Sequence, residues 1–287
     1  MALVYLNGEF LPLAQAKVSV LDRGFLFGDG VYEVIPVYGG HFFRLSLHLQ
    51  RLEHSLQAIH LENPLSPSQW REVLQRLVAR NEGLDQAVYL QVTRGPAARD
   101  HAFPQPVEPT VFAMSNPLKP LPTEWRLKGV AAVTREDIRW KYCHIKSVAL
   151  LANILLRQEA IEAGAQEALL LRDEQLTEGA ASNVFIVRGG VLATPPKGPF
   201  LLSGITRDLI LELAGEGGIP CRERVITAWD LTQADELWLT SSTREIVPVT
   251  RLDGIEVGSG KPGPLWGQMD ILYQEYKARV RAGLYEN

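Results

Sequence analysis

Cysteine is scarce in this sequence: Cys143 and Cys221 are the only two among 287 residues. Two thiols without metal-ligand spacing build neither a disulfide framework nor a zinc site. No metal is therefore expected, and a reduced, cytoplasmic setting fits best. Cys143, three residues before Lys146, reads as a buried structural thiol. Basic blocks are lacking too. A net charge of -4 and a pI near 5.9 argue against a nucleic-acid partner. No apolar run approaches the length of a membrane span. The opening MALVYLNGEFLPL has neither a charged n-region nor a long apolar core, so no secretory signal is expected. Internal repeats and low-complexity stretches are also missing.

What is there is an ordinary globular balance, 46% hydrophobic and 22% charged, long enough for one large or two medium domains. Asn7-Gly8 predicts a hairpin over residues 2–13. Gly24, Gly28 and Gly30 punctuate an apolar loop before a strand over 31–38, which Gly39-Gly40 closes. Leu45, Leu49, Leu52, Leu56 and Ile59 recur at helical spacing. Arg51 edges that stripe, either snorkelling or serving as a phosphate clamp. Ser66-Pro67-Ser68-Gln69 has the form of a capping box opening a helix to about residue 81. Strands over 87–93 and 110–114 flank RGPAARDHAFPQPVEP, whose four prolines exclude helix and central strand. Long loops of this kind are usually functional or disordered, and this one carries Arg94, Arg99 and His101 among apolar residues, which favours function. NPLKPLPTE then reads as an extended linker. It divides a small N-terminal α/β domain, residues 1–118, from a larger C-terminal domain, residues 119–287, which would carry Lys146.

The second half opens with a strand over about 126–134, followed by IRWKYCHIKSVALLAN. Ile138, Trp140, Tyr142 and Ile145 predict a strand; Val148, Leu151, Ile154 and Leu155 predict a helix, with Ser147 as its cap. Lys146 falls at the junction, flanked by apolar groups beside a helix N-terminus, the setting of a Schiff-base nucleophile. Gly164 is expected to end the helix. Strands follow over 167–172 and 182–187, with Glu178 on a tight turn between them. Gly189-Gly190 marks a hairpin. Ser203-Gly204-Ile205-Thr206 opens a further helix, and a buried strand over 237–240 runs into Ser241, Ser242 and Thr243. Asp253-Gly254 marks a turn, and a helix over about 264–281 closes the chain.

Three kinds of group together hold a pyridoxal phosphate. A lysine takes the aldehyde, a carboxylate pairs with the ring nitrogen, and N–H and hydroxyl donors take the phosphate. Lys146 suits the first role. Glu178 suits the second, because a carboxylate between apolar strands needs a cation facing it. The helix start at Gly204-Ile205-Thr206 favours an anion, and the 241–243 hydroxyls with Arg51 complete a phosphate cup.

In this order and spacing, DRGFLFGDGVYEV, IRW with IKS, TEGAASNVF, SGITR and LTSSTREIVPV resemble the class IV aminotransferases, the fold-type IV pyridoxal-phosphate enzymes. The likeness spans nearly the whole chain. It implies an α+β fold, with a small α/β domain, a larger pseudo-barrel domain and the cofactor between them. By that resemblance Lys146 binds the cofactor and shuttles protons, and Glu178 pairs with the pyridine nitrogen. Arg51, Ile205, Thr206 and Ser242 bind phosphate, Leu202 lies against the ring and Tyr32 faces the substrate. Ser242 departs from the threonine of close relatives but keeps the hydroxyl. The Arg99-x-His101 pair is similar to the carboxylate-binding loop of the D-amino-acid branch. The expected reaction is transamination between a D-amino acid such as D-alanine and a 2-oxo acid such as 2-oxoglutarate or pyruvate. A branched-chain L-amino-acid transaminase or an aminodeoxychorismate lyase of the same fold is the alternative. The resemblance further implies a homodimer or larger assembly acting on small-molecule substrates, with sites near the subunit interface; the charge balance and hydropathy given above argue against a nucleic-acid or membrane partner.

Overall fold

The structure, a computed structural model, describes residues 2–285. Two compact units emerge from the packing. One comprises the chain up to Lys119, the segment Ile145–Ala149 and the chain from Lys277 on; the other comprises Pro120–His144 and Leu150–Tyr276. Lys146 thus packs with the N-terminal residues.

The first unit is a six-stranded antiparallel sheet with helices. In chain order its elements are β1 (Leu3–Leu6), β2 (Glu9–Pro12), α1 (Arg23–Phe27), β3 (Gly30–Tyr38), β4 (His41–Phe42), α2 (Leu45–Ala58), α3 (Pro67–Ala79), β5 (Gln86–Thr93) and β6 (Thr110–Pro117). The strand order is β2-β1-β6-β5-β3-β4. Asn7 and Gly8 both take positive φ, +48° and +99°, as a type I′ hairpin requires. The capping box at Ser66 and Gln69 forms as the sequence predicts. Helix α1 replaces the expected apolar loop. The Asp22 side chain accepts from Gly24 N, and Gly28 ends the turn in the left-handed region. Strand β5 alternates, with Gln86, Val88, Leu90 and Val92 buried on one face and Ala87, Tyr89 and Gln91 half-buried on the other. Its inward residues join Val31, Ile35, Leu45, Leu52, Leu56, Trp70 and Leu74 in one core. The outward face carries Tyr32 stacked on Tyr89.

The second unit holds α4 (Thr123–Lys128), β7 (Val130–Glu136), α5 (Leu151–Glu162), β8 (Glu167–Arg172), β9 (Gln175–Gly179), β10 (Asn183–Arg188), β11 (Val191–Thr194), α6 (Ile205–Glu216), β12 (Cys221–Glu223), α7 (Ala228–Thr232), β13 (Glu236–Ser241), β14 (Glu245–Leu252), β15 (Ile255–Glu256) and, as far as Tyr276, α8 (Pro264–Arg281). The sheet order is β12-β11-β10-β13-β14-β7-β8-β9, with β15 on β14. β9 ends that order, yet a three-residue turn leads from it into β10, and Gly179 N donates to Ser182 O at 2.7 Å. A sheet whose far strand returns to its third strand must curl, and this one forms an open barrel. A short helix, α4, occupies the first residues of the strand expected over 126–134.

Four local expectations around Lys146 and Glu178 are corrected. No strand forms over 138–145, where Ile138, Trp140 and Tyr142 are about half exposed. Asp137 instead accepts from the backbone and side chain of Arg139, at 3.1 and 2.9 Å, a local turn that competes with ladder pairing. Ser147 does not cap a helix. Its hydroxyl accepts from Ala149 N at 3.0 Å, and α5 begins only after Leu150. The face of α5 that packs inward is Leu156 and Ala160, while Leu151, Ile154 and Leu155 stay exposed. Glu178 lies in strand β9 rather than on a turn; the turn is Asp173-Glu174, both at positive φ.

Candidate active site

In the first unit, Lys146 is held against the start of β3. Tyr32 N donates to Lys146 O at 2.9 Å, Val148 N donates to Gly30 O at 3.0 Å, and Lys146 N donates to Ser55 Oγ at 3.2 Å. These three bonds fix the backbone on both sides of the lysine. Its Nζ then lies 4.3 Å from the centre of the Tyr32 ring, within cation–π range.

Arg51 does not snorkel. It is buried, and its Nε and NH2 bind both oxygens of Glu33, at 2.7 and 2.8 Å. Glu33 is inaccessible and also faces His48 Nδ1 at 2.8 Å. Burial pushes the Glu33 carboxyl up, but the charge and hydrogen bonds of Arg51 outweigh it and hold it far below the usual range. Burial pushes His48 down against the pull of Glu33, so the imidazole is neutral. With an ionised carboxylate at Nδ1 the proton sits there, leaving Nε2 bare; that atom is buried without a hydrogen-bond partner. Glu33 was missed in the sequence, although one charged residue in step with Val31 and Ile35 on a core-facing strand was a readable signal.

The loop after β5 is pinned at several points. Arg94 is buried, binds Asp29 at 2.8 and 3.1 Å, and donates to the carbonyls of Ile59 and His60. Arg23 binds the same Asp29 at 2.8 Å and donates to the carbonyls of Asp100 and Ala102. Burial pushes Asp29 up, but the two arginines prevail and hold it low. Arg99 and His101 are exposed, and both lie against Phe27 of α1, at 5.3 and 5.5 Å from its ring centre.

In the second unit, Glu178 is buried and held by donors on both oxygens. Arg139 NH1 donates to Oε1, while Asn183 Nδ2 and Leu202 N donate to Oε2 at 3.1 and 3.0 Å. Asn183 also binds Leu202 O at 2.9 Å, and a Cβ at Gly204 would collide with its Oδ1. Glycine at 204 therefore lets the start of α6 approach the carboxylate's own support. No side chain caps α6. Thr206, in its first turn, has a buried hydroxyl without a partner. Ser242 follows the end of β13 in the turn to β14. An uncapped helix start with an orphaned hydroxyl suits a phosphate, and a buried carboxylate suits a protonated ring nitrogen. The residues present therefore fit pyridoxal phosphate. Arg139 and Asn183 fall within the IRW and TEGAASNVF blocks but were given no role there, and Asp137 lies outside them.

The first unit thus offers a lysine fixed by its backbone, and the second a buried carboxylate and an uncapped helix start. The chain belongs to the class IV aminotransferases, whose family pattern, amino-transferase class IV, matches residues 30–252. It is 42% identical over 262 residues to a D-alanine aminotransferase of Bacillus licheniformis, covering 91% of this chain and 92% of that one. To a D-alanine aminotransferase of Listeria monocytogenes it is 42% identical over 280 residues, covering 96% of each. Among solved structures it is similar to the branched-chain amino acid aminotransferase of Escherichia coli, with TM-score 0.90, 29% identity, and 96% and 94% of the two chains covered. A T.th. branched-chain amino acid aminotransferase with pyridoxamine 5'-phosphate gives TM-score 0.91 at 29% identity, again covering 96% and 94% of the two chains. The fold class, the aminotransferase activity and the pyridoxal-phosphate cofactor expected from the sequence all stand.

Proposed function

We propose that this chain transfers the amino group of a D-amino acid, such as D-alanine, to a 2-oxo acid such as 2-oxoglutarate or pyruvate. The observation that carries this reading is 42% identity, over nearly all of both chains, to D-alanine aminotransferases. The branched-chain L-amino-acid reading has the structural neighbours in its favour, but at 29% identity it is weaker. Arg99 and His101 also favour the D-specific reading.

Pyridoxal phosphate, when bound, supplies an aldehyde for the amine and a ring that accepts the electron pair released at Cα. Lys146 Nζ would hold the cofactor's aldehyde and would carry the Cα proton. Glu178, through its buried carboxylate, would hold a proton on the ring nitrogen and so keep the ring electron-poor. Arg51, the N–H groups of Ile205 and Thr206, the Thr206 hydroxyl and the Ser242 hydroxyl would bind the phosphate, and Leu202 would lie against the ring. Arg99 and His101 fix the substrate carboxylate, with Tyr32 as a further hydroxyl. Fixing that carboxylate on one side selects the enantiomer whose Cα hydrogen faces Lys146. The exposed row Leu151, Ile154 and Leu155 supports a homodimer. Among the described residues no helix is long and apolar enough to cross a membrane, and we assign the enzyme to the cytoplasm. Paired kinetics with D- and L-alanine test the assignment: turnover of the D-enantiomer alone is expected, and preference for L-leucine or L-valine would overturn it.

A further inference from the structure

We propose that Arg139 is a positioning residue for Glu178, fixing the carboxylate and setting how strongly it holds a protonated ring nitrogen. The proposal rests on the role given to Glu178 under the proposed function. Three ionisable side chains meet in one buried line. Asp137 grips the Arg139 guanidinium through Nε and NH2, at 2.9 and 3.0 Å, which fixes its plane. Only NH1 remains on the far side, and it reaches Glu178 Oε1. Thr177 Oγ1 binds Asp137 at 3.0 Å, and Phe200 O accepts from Arg139 NH2 at 3.1 Å, so the guanidinium has no freedom to swing. Asp137, Arg139 and Glu178 are each more than nine-tenths buried.

The charge pattern is unequal. Asp137 is served by two cations, since Arg172 NH2 lies 3.3 Å from it. Arg139, by contrast, is divided between two carboxylates. Glu178 is thereby anchored by a cation that it shares with Asp137, which leaves its carboxylate able to face a further cation. Removing one partner of a buried pair leaves the other charge poorly compensated. Without Arg139, Glu178 binds a proton more tightly and its carboxylate plane is released. The remaining titratable group facing Arg139 is Cys143, which burial pushes up to about 11, so it stays a neutral thiol.

The test follows the affinity of the apo-protein for pyridoxal phosphate by tryptophan quenching, from pH 5 to 8, alongside steady-state kinetics. Arg139→Met is expected to weaken cofactor affinity about tenfold near pH 7.5 and to move the acid limb of binding to higher pH. Arg139→Lys should restore most of both. Asp137→Asn/Arg139→Met removes the two charges together and should keep the shifted limb in a protein whose charge remains balanced. In a Glu178→Gln background, Arg139→Met should change affinity less than threefold, because its route of action is gone. Equal losses in both backgrounds with an unmoved acid limb would overturn the inference and leave the proposed function intact. Wild-type protein that takes up no pyridoxal phosphate would overturn both.

Discussion

Tyr32 and Lys146 are joined twice. The Tyr32 amide donates to the Lys146 carbonyl at 2.9 Å, and the lysine Nζ lies 4.3 Å from the tyrosine ring centre. A backbone bond fixes where the lysine leaves the chain, and the ring face fixes where its charge ends. The expected consequence is a single trapped lysine. Borohydride treatment of the holoenzyme should fix the cofactor on the Lys146 peptide, and Lys146→Ala should retain only dialysable cofactor. Peptide mapping that finds the label on another lysine contradicts this.

Thr206 offers a cleaner probe of the phosphate site than any charged residue. Its hydroxyl is buried without a partner, so Thr206→Val removes no internal hydrogen bond and keeps the shape. Apo-protein stability should change by less than about 1 kcal/mol, while cofactor affinity should fall about tenfold, the loss of one charge-assisted bond. A variant that binds cofactor as well as wild type places the phosphate elsewhere.

The pair formed by Glu33 and Arg51 should dominate the stability of the first unit. Glu33→Gln leaves a buried guanidinium without its counter-ion, at a cost of about 3–5 kcal/mol. Chemical denaturation of the apo-protein measures it, and a loss below about 1 kcal/mol would show that Arg51 finds compensation without Glu33.

The same cluster makes a prediction about acid. His48 and Glu33 both bind protons more weakly folded than unfolded. Each therefore contributes stability above its unfolded value and loses it as pH falls. The melting temperature should decline below about pH 6.5 as unfolded histidine gains protons, and more steeply below about pH 4.5 as Glu33 follows. His48→Gln should flatten the upper part of that decline. A wild-type melting temperature unchanged between pH 7 and 5 contradicts the buried neutral imidazole.

Arg99 should matter to substrate and not to cofactor. Arg99→Ala should raise KM for D-alanine by a factor corresponding to roughly 2–3 kcal/mol while leaving the cofactor spectrum unchanged. An unaltered KM would reduce Arg99 to a solvated residue resting on Phe27.

Much of this was legible in the chain because it was written in local chemistry. Asn7-Gly8, the Ser66 capping box and Gly204-Ile205-Thr206 each specify a backbone conformation within four residues, and each forms as read. The stretch around Lys146 misled for a physical reason. Ile138, Trp140 and Tyr142 have strand propensity, but Asp137 and Arg139 close a local turn that propensity cannot reveal, and their purpose lies 39 residues onward at Glu178. Arg51 looked ambiguous because its partner, Glu33, sits on a strand 18 residues earlier. Long-range charge pairs of this kind leave no spacing to read.

The central claim is tested most directly by mixing holoenzyme with single amino acids and no acceptor, and following the cofactor's absorbance. D-alanine should convert the yellow aldehyde form to the amine form within one turnover, while L-alanine, L-leucine and L-valine leave the spectrum unchanged. Conversion by L-leucine or L-valine that outpaces D-alanine would contradict the D-amino-acid assignment and restore the branched-chain one.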